Sequence, residues 1–140
     1  MIKFLIKILA FTFLILNPLL ANNQYFQEGK NLFENKKFKK AKLKFEQDIV
    51  YNPKNEFSYL YLSKILKSLG KKKLQENNLK TVILINPKNE EATFILAKLK
   101  LENSDYQKSK EYNDRLSTFC NKYCQKSEKL KIEIKNLSQN

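Results

Sequence analysis

The sequence predicts an all-α protein of about three helix pairs followed by a C-terminal capping helix. Three observations carry this prediction. The 140 residues include only two glycines and three prolines, too few turn formers for a succession of short strands. Apolar residues recur three and four positions apart, the spacing of one helix face. The tetrapeptide Asn52-Pro53-Lys54-Asn55 returns as Asn86-Pro87-Lys88-Asn89, a period of 34. A period of that length on helical patterning marks a helix pair that buries its apolar face only by stacking on the next pair.

The N-terminus reads separately from the repeats. Lys3 and Lys7 precede an apolar run, Ile8 to Leu16, interrupted only by Thr12. Asn17-Pro18 then breaks any helix, and Ala21 supplies a small residue before the polar Asn22-Asn23-Gln24. That order predicts a secretory signal peptide over residues 1–21, cleaved after Ala21, and export to a periplasm or the exterior. The run after Lys7 falls short of the ~20 apolar residues that span a bilayer. The alternative is an anchor that stays uncleaved, because Leu19 is bulky two residues before the cut. No cysteine lies there to carry a lipid.

The remainder divides into units 22–55, 56–89 and 90–123, then a capping helix over 124–140. In the first unit Tyr25, Gly29, Leu32, Ala41, Phe45 and Pro53 follow one another, with Glu28 in a place that wants an apolar residue. Gly29 and Ala41 are small where the two helices of a pair touch. Pro53 is expected to begin a helix, where a missing N–H costs nothing. The second unit repeats the order as Tyr59, Leu62, Ser63, Leu66, Leu79 and Pro87, with Gln75 where alanine is expected. Gly70 is placed to end its first helix in a left-handed cap. The third carries Leu96-Ala97 and Ser109, then Asn113 in the aromatic column and Asn121 where proline would close the unit.

This succession resembles the tetratricopeptide repeat (TPR) family over roughly residues 22–123. The resemblance implies a right-handed array of helix pairs. The turns within pairs should fall at residues 35–37, 70–72 and 104–105. In the last segment Leu130, Ile134 and Leu137 share one helical face, although residues 129–135 also alternate in a strand-like way.

The charge is +13, from 27 Lys+Arg against 14 Asp+Glu. Nucleic acid is a poor partner for it. Arg115 is the one arginine, so the planar bidentate donor that reads phosphates and bases is almost absent, and the lysines are spread along the chain. Codons rich in A and T explain the abundance of Lys, Asn and Ile more simply. Membrane contact is expected only through the N-terminal segment or weak surface charge.

Catalysis finds no support. The chain has no histidine, which removes the commonest general base, and two glycines do not make a phosphate-binding loop. Glu46, Asp48, Glu90 and Glu91 read as helix starts or solvated faces. No enzyme activity, cofactor or metal is expected. Cys120 and Cys124 alone do not complete a zinc site, and their spacing misses the haem and redox motifs.

The Leu116-to-Cys120 layout with a second cysteine soon after is similar to exported bacterial members of the TPR family, and that resemblance implies a Cys120–Cys124 disulfide. An oxidising compartment favours the same pairing. The alternative is two unlinked thiols four apart on one helix.

The family also implies a binding face. In TPR domains the first helix of each pair lines a concave groove that takes a protein or peptide. Carried onto this chain, that face comprises Phe26, Lys30 and Phe33, then Leu60, Lys64 and Lys67, then Phe94, Lys98 and Leu101. Lys30, Lys64 and Lys98 form a basic column beside the apolar Phe26, Leu60 and Phe94, which suits an acidic partner segment. The competing expectation is a cationic envelope protein docking on anionic lipid or wall polymer.

Overall fold

The computed structural model describes residues 24–139, so the expected signal peptide over 1–21 lies outside the described residues. Those residues form seven helices and no strand. They are α1 (residues 24–34), α2 (Phe38–Tyr51), α3 (Glu56–Ser68), α4 (Lys72–Ile85), α5 (Glu90–Glu102), α6 (Tyr106–Ser117) and α7 (Cys124–Ser138). The segment with strand-like alternation is helical. The described residues divide into two compact units, one ending at Ser58 and the other beginning at Tyr59, with the division inside α3.

In the first unit α1 packs on α2 through Gly29. A Cβ there would stand 2.8 Å from Phe45 Cε1, so only hydrogen fits beneath the ring. Phe45 and Ala41 are wholly buried, and burying a phenylalanine stabilises by about 1.5–3 kcal/mol. Glu28, the departure from the apolar pattern, reaches across to Lys44 at 2.6 Å, and Lys44 lies over the Tyr25 ring. An ion pair over an aromatic ring thus replaces an apolar contact.

Asp48 corrects the expectation of a solvated carboxylate, because it is completely buried. It accepts hydrogen bonds from Ser58 Oγ at 2.5 Å, Asn55 Nδ2 at 2.7 Å and Asn52 Nδ2 at 3.3 Å. A buried carboxylate is tolerated when donors replace its water, and the Asn-Pro-Lys-Asn turn supplies two of them. The second copy of that turn follows Val82 instead. There Asn89 caps α5 by accepting the Ala92 N–H at 2.9 Å. One tetrapeptide therefore makes two different hydrogen-bonding sets.

Pro53 and Pro87 do not begin helices as expected; α3 and α5 start three residues later. Asn55 N–H bonds Asn52 O at 2.9 Å and Asn89 N–H bonds Asn86 O at 3.1 Å. Each proline is thus the second residue of a β-turn, where its fixed φ is preorganised.

The turns inside pairs fall where expected, and all three are built alike. Lys36, Gly70 and Ser104 have φ of 58°, 67° and 58° and stand one repeat period apart. In each, the following N–H reaches back to Leu32, Leu66 or Lys100 O at 2.8–2.9 Å, the closure of a left-handed helix cap. Only the middle one is glycine.

In the second unit, one core cluster joins Leu60, Leu79, Val82, Ile83, Ala92, Leu96 and Leu99. Another joins Ala97 and Leu101 of α5 to Leu130 and Ile134 of α7. Two of the polar residues that stand in small or apolar columns, Ser109 and Asn113, join their helix to its neighbours. Ser109 Oγ donates to Ala97 O at 2.9 Å. Asn113 donates to Ser127 O at 3.0 Å and accepts from Ser127 Oγ at 3.0 Å. An aromatic at position 113 would forfeit that clasp between α6 and α7. Leu137 is a correction: it leaves the buried face of Leu130 and Ile134 and is 42% exposed, because the last turn of α7 runs past the residues that cover it.

Candidate partner-binding faces

The first helices α1, α3 and α5 carry the expected binding residues in one register, but their surroundings differ. On α1, Phe26 is half-buried between Phe45 and Phe57, with ring centroids at 6.0 and 6.2 Å. Phe33 meets Phe38 edge-on at 5.4 Å. Lys30 approaches Glu34 of its own helix at 3.9 Å. Apolar ring surface beside an ammonium thus remains partly exposed on this face.

On α3 the expectation needs correcting. Leu60 is 4% exposed and belongs to the core, since α4 and α5 close over it with Leu79 and Leu96. Lys64 is held by Glu91 of α5 at 2.8 Å and lies over the Tyr61 ring. Lys67 pairs with Glu102 at 3.8 Å. Two lysines expected to face a partner are thus in contact with carboxylates of the neighbouring helix.

On α5, Leu101 is also buried, against Leu130 and Ile134 of α7. The reason is the position of α7. Its buried Ser127, Leu130 and Ile134 follow Thr93, Leu96 and Lys100 by one repeat period. It therefore takes the place of a fourth first helix and covers part of the α5 face. Phe94 is stacked obliquely on Tyr123 at 5.4 Å. Lys98 is half-buried and lines a cleft with Phe94, Lys126, Lys129, Leu130 and Glu133. A second, larger hollow of about 390 Å³ lies between α6 and α7, between Asn113, Asp114 and the apolar Ile132 and Ile134.

The segment that brings α7 into place is fixed twice. A disulfide joins Cys120 to Cys124, Cα atoms 5.2 Å apart. The cysteines are not on one helix, because α6 ends at Ser117 and α7 begins at Cys124. Glu90 of α5 then accepts the N–H groups of Lys122 at 2.9 Å and Tyr123 at 2.8 Å. Hydrogen bonding from the Asn121 N–H, followed by those of Tyr123 and Lys122, holds its carboxyl below the usual 4.5. Beyond its expected place at the start of its own helix, Glu90 closes the turn where the repeating proline is missing.

Sequence reasoning missed Lys100 and Glu76. Lys100 stands in a column of leucines and is 8% exposed. It pairs with Glu76 of α4 at 2.9 Å, and Glu76 also meets Lys80 at 2.6 Å. Hydrogen bonds from Lys80 and Lys100 lower the Glu76 carboxyl from its ordinary value. A signal was present, since a lysine in a buried repeat column demands a carboxylate somewhere, but its partner stands on another helix and was not readable. Among the described residues no group of three or more His, Cys, Asp or Glu could hold a metal ion.

No family model matches the sequence, and no curated protein matches it. Its fold has clear counterparts. The TPR2B domain of yeast Sti1, solved in a complex with pHsp70, superposes with a TM-score of 0.76 at 16% identity, covering 84% of this chain and 98% of that one. The Yersinia enterocolitica type III secretion chaperone SycD, in complex with a peptide of the translocator YopD, gives 0.74 at 14% identity over 85% and 93%. The Arabidopsis OM64 TPR domain gives 0.71 at 18% identity over 83% and 98%. With its recurring Asn-Pro-Lys-Asn turn, three matching left-handed turns and small-residue contacts within pairs, this chain has the all-α helical-repeat fold of TPR domains.

Proposed function

We propose that this chain is an exported, non-catalytic binding module that engages a protein or peptide through the first helices of its repeats. The observation carrying this reading is that first helices in each unit, taken separately, keep half-exposed aromatic and lysine side chains: Phe26, Lys30 and Phe33 on α1, and Phe94 and Lys98 on α5. Ring faces beside ammonium groups on rigid helices bind with little loss of side-chain freedom. The Sti1 and SycD complexes support the same reading. Export rests on the basic start, apolar run and small residue within residues 1–21.

Photo-crosslinking tests it. A photoreactive phenylalanine analogue at Phe33, Lys67 or Lys98 should form the same adduct in the expressing cell, and one at Leu43 or Leu84 on second helices should not. Adducts that form equally from both sets and vanish at high salt would replace this reading with docking on an anionic lipid or polymer surface. Mass spectrometry of the exported protein should find Asn22 at its N-terminus; a membrane-bound chain that keeps residues 1–21 would make it an anchored protein.

A further inference from the structure

We infer that the α3–α4 turn of the second unit, residues 67–74, docks on an anionic lipid bilayer, with Lys71, Lys72 and Lys73 at the phosphates and Leu69 and Leu74 at the acyl boundary. The inference goes beyond the binding-module reading and does not rest on it.

All eight residues of this segment are exposed, and they include four lysines, two leucines and no acid. Leu69 and Leu74 are 47% and 48% exposed, on either side of Gly70, whose φ of 67° turns the chain. Among the described residues Lys71 and Lys73 take part in no ion pair. Lys72 donates to Asn103 Oδ1 at 3.0 Å, a neutral partner that leaves its charge uncancelled. The adjoining α5–α6 turn carries Glu102 and Asp105, but Lys67 meets the first at 3.8 Å and Lys108 the second at 3.8 Å. The positive charge at the tip is therefore local and unopposed.

Folding does not ask for lysine at these positions. Asp105 caps α6 by accepting the Lys108 N–H at 3.2 Å. Lys71 stands one repeat period earlier, yet it starts α4 with no side-chain cap, and no acid follows in the first turn. Lys72 and Lys73 instead put cations at the positive end of the helix dipole. Codon bias does not explain the choice, since asparagine has an equally A- and T-rich codon and caps α5 at Asn89. In the first unit Lys37 and Lys39 recur at the same repeat positions, again with no side-chain cap and no acid in the first turn of α2. A recurring choice that weakens a helix start is explained by what the lysines meet outside the fold.

The leucines decide the kind of anion. A soluble polyanion is met by charge alone, whereas a bilayer offers an apolar phase just beneath its phosphates. Lysine stems reach up to the phosphates while leucines enter the acyl boundary below them. Each basic residue adds to the attraction of an anionic leaflet, and the attraction fades within a Debye length.

The chain has no tryptophan, so one introduced at the turn reports its own surroundings. Protein expressed from the full chain with Leu69→Trp should show blue-shifted emission on vesicles containing phosphatidylglycerol, and no shift on phosphatidylcholine alone. Leu84→Trp, at the far end of α4, should shift on neither. Adding K71Q/K72Q/K73Q to Leu69→Trp should weaken lipid binding by about tenfold or more. Adding K129Q/K131Q/K135Q, which removes the same charge from exposed positions of α7, should weaken it less than about threefold. Lys71→Asp should raise Tm by supplying the missing cap while it weakens lipid binding, a combination that a purely structural lysine does not give. Circular dichroism shows that each variant is folded. No shift at position 69, equal shifts at position 84 or on neutral vesicles, or equal losses in both triple variants would each overturn the inference. So would a lower Tm or unchanged lipid binding for Lys71→Asp. Binding of soluble polyglutamate that depends on Lys71, Lys72 and Lys73, without a blue shift on vesicles, would make the turn a polyanion site and overturn the lipid assignment.

Discussion

The Glu90 carboxylate accepts the Tyr123 N–H at 2.8 Å, tying the first turn of α5 to the start of α7. The same oxygen accepts the Lys122 N–H. Replacing Glu90 by alanine should therefore loosen the cysteine turn while the first unit is untouched. Hydrogen exchange at the Lys122 and Tyr123 amides is expected to quicken by about tenfold, with no change in α1 or α2. Unaltered exchange at both amides would mean that water substitutes fully for the carboxylate.

Gly29→Ala sets two effects against each other. Alanine gains up to about 1 kcal/mol of helix propensity. The added methyl, however, meets Phe45 at 2.8–2.9 Å, and the ring is wholly buried. Overpacking of this kind costs about 1–3 kcal/mol, so the variant should be less stable by denaturant titration. A gain in stability would show that the ring can slide aside.

Lys36 and Ser104 hold left-handed conformations that glycine adopts without strain. Lys36→Gly and Ser104→Gly should each raise stability, by about 0.5–1 kcal/mol. Gly70→Ala should lower it by about 1 kcal/mol for the same reason, and not by a clash, since nothing lies within 4 Å of the added carbon. Opposite signs in thermal unfolding would refute the strain argument.

Glu76 predicts an acid-sensitive contribution to stability. Its hydrogen bonds with Lys80 and Lys100 favour the charged form, so its carboxyl titrates below 4.5 when folded. The folded protein then binds fewer protons than the unfolded one, and the contribution is present in full above pH ~4.5 and lost as pH falls through the lower folded value. The Tm gap between the parent and Glu76→Gln, measured from pH 7 to 3, should be largest near neutrality and shrink in acid. A gap that stays constant would assign the effect to packing instead.

Much of the repeat could be read directly because its determinants are local. The Asn-Pro-Lys-Asn turns, the left-handed cap at Gly70 and the small Gly29 and Ala41 act through backbone geometry within a few residues, and each lies where the period put it. Even where a residue performs a different local task, as with Pro53 and Pro87, its position between helices was legible. The binding residues were less so. Register placed Leu60 and Leu101 on first helices, but whether such a residue is open depends on which helix packs over it, and register says nothing of that.

By itself, then, the sequence determined the helix pairs, their period, their turns and the cysteines available to pair. The tertiary structure alone decided that Asp48 is buried under Ser58 and Asn55, that Glu91 and Glu102 hold Lys64 and Lys67, and that α7 brings Lys126 and Lys129 beside Lys98. The physical reason is range. A turn or a helix face follows from interactions between residues a few places apart, whereas the partner of a charge is chosen by which surfaces meet when helices stack. Among 27 basic and 14 acidic residues, the sequence permits far more pairings than the packed helices realise.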